Sequence, residues 1–148
     1  MIKDKKILIT GIHGFLGTYL AKKLQSNNEV IGINLPHTNS SLSNIKIIEG
    51  DISNSETLQN INTEIDFIFH FGSPTSVVQF KKDPIKCFNS TINGMKNILE
   101  YAKTNSIKKL IYPSSASVYA NNSQPHNENI VPKPSNQYGV AKIECEKL

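Results

Sequence analysis

Lys5-Lys6-Ile7-Leu8-Ile9-Thr10-Gly11-Ile12-His13-Gly14-Phe15-Leu16-Gly17 is the stretch that decides how this chain folds. A short apolar run breaks at a glycine and opens into a helical pattern carried by Tyr19, Leu20, Ala21 and Leu24. Strand, glycine turn and helix in that order are the setting in which spaced glycines hold a dinucleotide. Gly11 permits the tight turn, Gly14 lets a pyrophosphate approach the backbone, and Gly17 lets the helix pack closely on the strand. The first helical residues, Phe15, Leu16 and Gly17, then offer free N–H groups and a positive dipole end to phosphate. The spacing here is G-x-x-G-x-x-G.

Working outward, a second apolar run, Val30-Ile31-Gly32-Ile33, ends at Asn34, where an acidic residue is expected to grip an adenosine ribose. An amide can still hydrogen-bond a ribose hydroxyl, but it lacks the charge that repels a 2′-phosphate. No arginine follows to attract that phosphate, so NAD is favoured modestly over NADP, with His37 the one nearby residue arguing for NADP.

Apolar segments at Lys6–Thr10, Val30–Asn34, Ile45–Glu49, Phe67–Phe71 and Lys109–Pro113 alternate with helical or polar stretches. That alternation predicts an α/β fold with a parallel sheet covered by helices. Asp83-Pro84 reads as an N-cap followed by proline at the first helical position. The stripe Ile85, Phe88, Ile92, Met95, Leu99 and Ala102 predicts one core-facing helix side. The segment from Tyr119 to Gln137, rich in Asn, Ser and Pro, reads as a long surface loop. The 148 residues suit one domain, and 38% hydrophobic content suffices for a core. Cys87 and Cys145 fit no ligand spacing and read as buried, reduced thiols of a cytoplasmic protein; the four histidines are scattered, so no metal site is expected. No apolar run approaches membrane-spanning length, and the net charge of +4 is dispersed without arginine–aromatic interleaving, which argues against a nucleic-acid partner.

Tyr138 stands four residues before Lys142, so on a helix the phenol and the ammonium share a face, about 5–6 Å apart at Cβ. A cation so placed lowers a phenol's pKa and makes it a base. The segment Pro113-Ser114-Ser115-Ala116-Ser117-Val118-Tyr119 delivers a hydroxyl separately, from the end of a strand.

Taken together, Gly11/Gly14/Gly17, Gly50-Asp51-Ile52, His70-Phe71-Gly72-Ser73-Pro74, Ser114 to Tyr119 and Tyr138-x-x-x-Lys142 resemble the extended short-chain dehydrogenase/reductases, in particular the NAD-dependent nucleotide-sugar epimerases and dehydratases. The resemblance runs through the whole chain and implies a Rossmann-type, doubly wound parallel sheet, truncated before its last strands and its substrate-binding part. By it, Ser115, Tyr138 and Lys142 are catalytic, Asp51 with Ile52 meets the adenine, and Phe71, Gly72 and Ser73 line the cofactor. It further implies a nucleotide-sugar substrate, a transient 4-keto sugar, inactivity of the 148 residues alone, and pairing of two copies through helices 83–103 and 138–148. Two positions depart from the family pattern: Thr91 replaces the asparagine three residues before Gly94, and Gly72 replaces an alanine. Ser115-Ala116-Ser117 carries neither the Asp-Glu pair of 4,6-dehydratases nor the glutamate of decarboxylases, so epimerase stands ahead of both, with 4-ketoreductase and a non-catalytic NAD-binding fragment as the remaining alternatives.

Asn34→Asp is expected to sharpen the preference for NAD over NADP by adding repulsion against the 2′-phosphate. Calorimetric titration of both cofactors against both variants checks this; stronger NADP binding to the aspartate variant would contradict it.

Overall fold

The computed structural model describes residues 2–36, 42–119 and 125–148. Five parallel strands form one sheet: β1 (Lys6–Thr10), β2 (Glu29–Asn34), β3 (Lys46–Glu49), β4 (Phe67–His70) and β5 (Lys109–Ile111), in the order β3-β2-β1-β4-β5. The chain starts mid-sheet, runs outward through β2 and β3, then returns to place β4 on the other side of β1. This reversal puts the topological switch point between β1 and β4, where open α/β sheets carry their ligand crevice. The register pairs Thr10 with Ile33 on one side and with His70 on the other. His37 and residues 120–124 of the expected long loop lie outside the described residues.

Alternation along the strands sorts two cores. Ile7, Ile9 and Val30 face α1 (Phe15–Leu24) with Ile12 and Ala21. On the opposite face Leu8, Ile31, Ile33, Ile48 and Ile68 pack with Ile98 of α4 (Pro84–Thr104). Each such fully buried aliphatic contributes about 1.5–3 kcal/mol. Two short helices, α2 (Glu56–Gln59) and α3 (Val77–Lys82), were invisible to periodicity because each is at most two turns long. Asp83 caps α4 as expected, its Oδ1 accepting the Lys86 N–H at 3.1 Å.

The buried side of α4 differs from the expected stripe. Cys87, Thr91, Gly94, Met95 and Ile98 are buried, whereas Ile85 is 74% exposed. Small residues on the seam let the helix approach its neighbours closely: a Cβ on Gly94 would lie 2.9 Å from Ile52 Cδ1. Met95 of the expected stripe belongs to that seam, and Phe88, Ile92, Leu99 and Ala102 lie half-buried beside it.

A single 3₁₀ turn (Ala116–Val118) follows β5, and α5 (Gln137–Lys147) packs on it and on α4. The α5 start is capped by Asn136, whose Oδ1 accepts the Gly139 N–H at 2.9 Å. Gly139 is the contact point: a Cβ there would stand 2.1 Å from the Ser117 carbonyl oxygen. Since that neighbour is backbone, Gly139→Ala must push α5 away from the 3₁₀ turn, at an expected cost of about 1–3 kcal/mol. Urea unfolding measures it, and a loss below about 0.5 kcal/mol would show that the turn relaxes freely.

Candidate functional site

The C-terminal ends of β1 and β4 open into a cleft of about 1330 Å³ that runs from the β1–α1 turn to α5. Gly11 forms the turn with φ +65° and passes so close to β4 that a Cβ would meet the Gly72 N at 2.8 Å. Gly17 lies against the Gly11 carbonyl, where a Cβ would come within 2.3 Å. Gly14 is the N-cap residue of α1, which has no side-chain cap. Its first N–H groups therefore face the cleft with the positive end of the helix dipole, a setting made for phosphate. Phe15, 89% exposed, and Leu16 form the rim beside it.

At one end of the cleft stand Asn34, Asp51 and Ile52. Asn34 turns inward, its Oδ1 accepting the His13 N–H at 3.2 Å, which ties the end of β2 to the glycine turn. Asp51 folds over its own loop, accepting the Ser53 N–H at 2.9 Å. Asn97 of α4, which the sequence did not single out, donates to the Ile52 carbonyl at 2.8 Å and anchors this wall. Thr91, at the position where the resemblance implies an asparagine, serves α4 instead, donating to the Cys87 carbonyl at 2.8 Å.

At the other end stand Phe71, Gly72, Ser73, Tyr138 and Lys142. The Tyr138 ring packs edge-on against Phe80 at 5.7 Å. Lys142 shares its face of α5, with Nζ 6.0 Å from the Tyr138 ring centre. Unlike a solvated lysine it is 3% exposed, and its Nζ donates to the Pro113 carbonyl at 2.7 Å. Burial pushes its pKa down to about 8, offset in part by nearby Cys145 and Glu146. Ser115 is half-buried, and its Oγ accepts the Ser117 N–H at 3.1 Å, capping the 3₁₀ turn. Pro113 and Ser114, rather than Ser115, form the cleft wall at this point, and the Ser114 hydroxyl donates to Glu146.

A family model for the NAD dependent epimerase/dehydratase family matches residues 7–148. The chain belongs to this family. Among curated relatives, the dTDP-D-glucose 4,6-dehydratase of Dictyostelium discoideum is 33% identical over 97% of this chain and 39% of its own length. The UDP-glucose 4-epimerase of Lacticaseibacillus casei is 30% identical over 96% of this chain and 45% of its own. The solved UDP-N-acetylglucosamine 4-epimerase of Methanobrevibacter ruminantium superposes with a TM-score of 0.89 at 28% identity, covering 99% of this chain and 49% of that one. The chain thus spans about half the length of the relatives it matches, and the family is one of Rossmann-like, NAD-dependent enzymes.

The buried ammonium has a consequence for stability. Between pH 8 and its usual value of 10.5, Lys142 is largely neutral in the fold but protonated in the unfolded chain. The unfolded state then holds more protons, so stability rises with pH across that window. Lys142→Met is expected to remove that rise, which amounts to roughly 2–3 kcal/mol. Denaturant midpoints of both proteins across the window check the difference; parallel curves would show that Lys142 carries no such penalty.

Proposed function

We propose that this chain is the dinucleotide-binding part of an NAD-dependent nucleotide-sugar 4-epimerase, with Ser115, Tyr138 and Lys142 as its catalytic residues. The observation that carries the reading is the buried Lys142 held on the face of Tyr138 at the mouth of the glycine-turn cleft. The residues fit a dinucleotide: Gly11 and Gly72 allow backbone approach, the uncapped α1 start offers N–H groups to a pyrophosphate, and Asn34, Asp51 and Ile52 wall the adenosine end. When bound, the nicotinamide supplies a hydride acceptor and, in the return direction, a donor.

The chain's own work is proton transfer and orientation. Tyr138 is the base that takes the proton of the sugar C4 hydroxyl, and the Lys142 ammonium on the same face of α5 supplies the positive charge that favours this transfer. The Ser115 oxygen already accepts from Ser117, so its own proton is the one directed at the sugar oxygen, steadying it against the phenol. Pairing of two copies through α4 and α5 belongs to the same proposal, supported by the exposure of Ile85 and Val140.

The Dictyostelium discoideum relative favours a second reading, a 4,6-dehydratase. Elimination of water needs an acid and a base beyond the tyrosine. Among the described residues, the carboxylates lining the cleft are Asp51 and Asp83, each accepting a backbone N–H of its own loop or helix. Neither belongs to the Ser115-Ala116-Ser117 triplet, and epimerisation asks for no such group. A 4-ketoreductase would use the same three residues.

Incubating the protein that carries this chain with UDP-glucose and NAD is expected to give UDP-galactose. Tyr138→Phe should lower the rate by about 10²–10⁴-fold with cofactor affinity nearly intact. A 4-keto-6-deoxy product would establish the dehydratase reading instead, and a Tyr138→Phe rate within a few-fold of wild type would remove Tyr138 as the base.

A further inference from the structure

Behind Lys142 lies a column of buried groups that the proton-transfer scheme does not use. Thr10 and His70 are register partners at the ends of β1 and β4, and both are fully buried. The Thr10 hydroxyl accepts the Gly72 N–H at 3.0 Å and lies 2.8 Å from His70 Nδ1. The His70 ring stacks on Tyr112, with centroids 5.6 Å apart and planes at 22°. The Tyr112 ring in turn lies under Lys142, its centroid 4.0 Å from Nζ. Tyr112 thus carries the cation on one side of a stack whose far end is the glycine turn.

We propose that Tyr112 is a positioning residue for Lys142: its ring face, backed by His70 and Thr10, fixes the height of Nζ and keeps it charged. The inference rests on the reading of Tyr138 and Lys142 as the proton-transferring pair. A desolvated ammonium needs compensation, and here it donates one hydrogen bond to the Pro113 carbonyl and lies against one π face. The remaining titratable groups around it are Tyr138, Cys145 and Glu146 on α5 and His70 on β4. His70 contributes no opposing charge, because burial and the lysine itself hold its pKa down to about 4, leaving it neutral near neutral pH. Among the described residues the Tyr112 hydroxyl meets only the Cys145 thiol as a polar neighbour and makes no hydrogen bond of normal geometry, and burial pushes its pKa up. The ring, not the hydroxyl, is therefore the working part.

The test reads Lys142 directly, without turnover, by NMR titration of the protein that carries this chain, labelled with ¹³C at lysine Cε. In wild type, the Lys142 Hε protons should be displaced upfield by the adjacent ring face, and the amine should titrate near 8. Tyr112→Phe should leave that titration within a few tenths of a unit. Tyr112→Leu should lower it by about one unit, because the cation loses its π partner. An unchanged titration in a folded Tyr112→Leu protein would overturn the proposal. Should that variant fail to fold, the wild-type spectrum decides: Hε resonances at ordinary lysine positions overturn the proposal, and upfield ones support it. Because no substrate is involved, a failure of the epimerase reading shows itself separately, as absence of UDP-galactose.

Discussion

The fold depends on how closely the β1–α1 turn approaches the end of β4. Gly11 adopts a left-handed backbone with Gly72 pressed against it, and Gly17 seats the helix on the Gly11 carbonyl. Any Cβ at Gly11 or Gly17 would overlap backbone, which cannot move aside as a flexible side chain can. The contact brings the α1 N-terminus, the ends of two neighbouring strands and the loop after β4 to one rim. Thr10 reinforces it from beneath, linking Gly72 and His70 across the switch point. With the two strand ends held together, one open cleft extends from Asp51 to Tyr138.

The far end of the cleft answers to a different constraint, the placing of a cation out of water. Lys142 reaches its position because Gly139 lets α5 lie against the Ser117 carbonyl and because Asn136 caps the helix start. Ala141, Cys87 and Phe80 pack beside Tyr138 and shield the pair. Burying an ammonium opposes folding, while the carbonyl of Pro113 and the ring of Tyr112 offset part of that cost. A site that keeps such a group sacrifices stability for a poised charge, as functional sites commonly do.

Family membership narrows the chemistry without choosing one reaction, since relatives at similar identity include both a dehydratase and epimerases. In the proposed reading, the choice between them turns on which acids and bases surround Ser115, Tyr138 and Lys142. In this chain the residues between Ser115 and Val118 are small and uncharged, and the carboxylates of the cleft are engaged with backbone N–H groups. That local poverty of carboxylates, more than overall similarity, is what favours the epimerase reading.

Much of this was legible in the residues alone. The five strands, the glycine turn, the Asp83 cap and the shared face of Tyr138 and Lys142 follow from local alternation, spacing and backbone preference, and every expected cofactor-side residue lines the cleft. Tertiary packing decided the rest. The buried seam of α4 shares Met95 with the expected stripe but is turned toward Cys87, Thr91 and Gly94, whose small side chains allow close approach. Asn34 faces His13, Asn97 holds Ile52, and Ser115 caps a turn, all through partners that periodicity cannot name. The depth of Lys142, its bond to a carbonyl 29 residues earlier and the Thr10–His70 pair spanning 60 residues arise only when distant segments meet. Sequence pattern determines which face of an element is apolar, because that follows from its own pitch; how far a charge is removed from water, and which backbone oxygen or ring then receives it, depends on the elements packed against it.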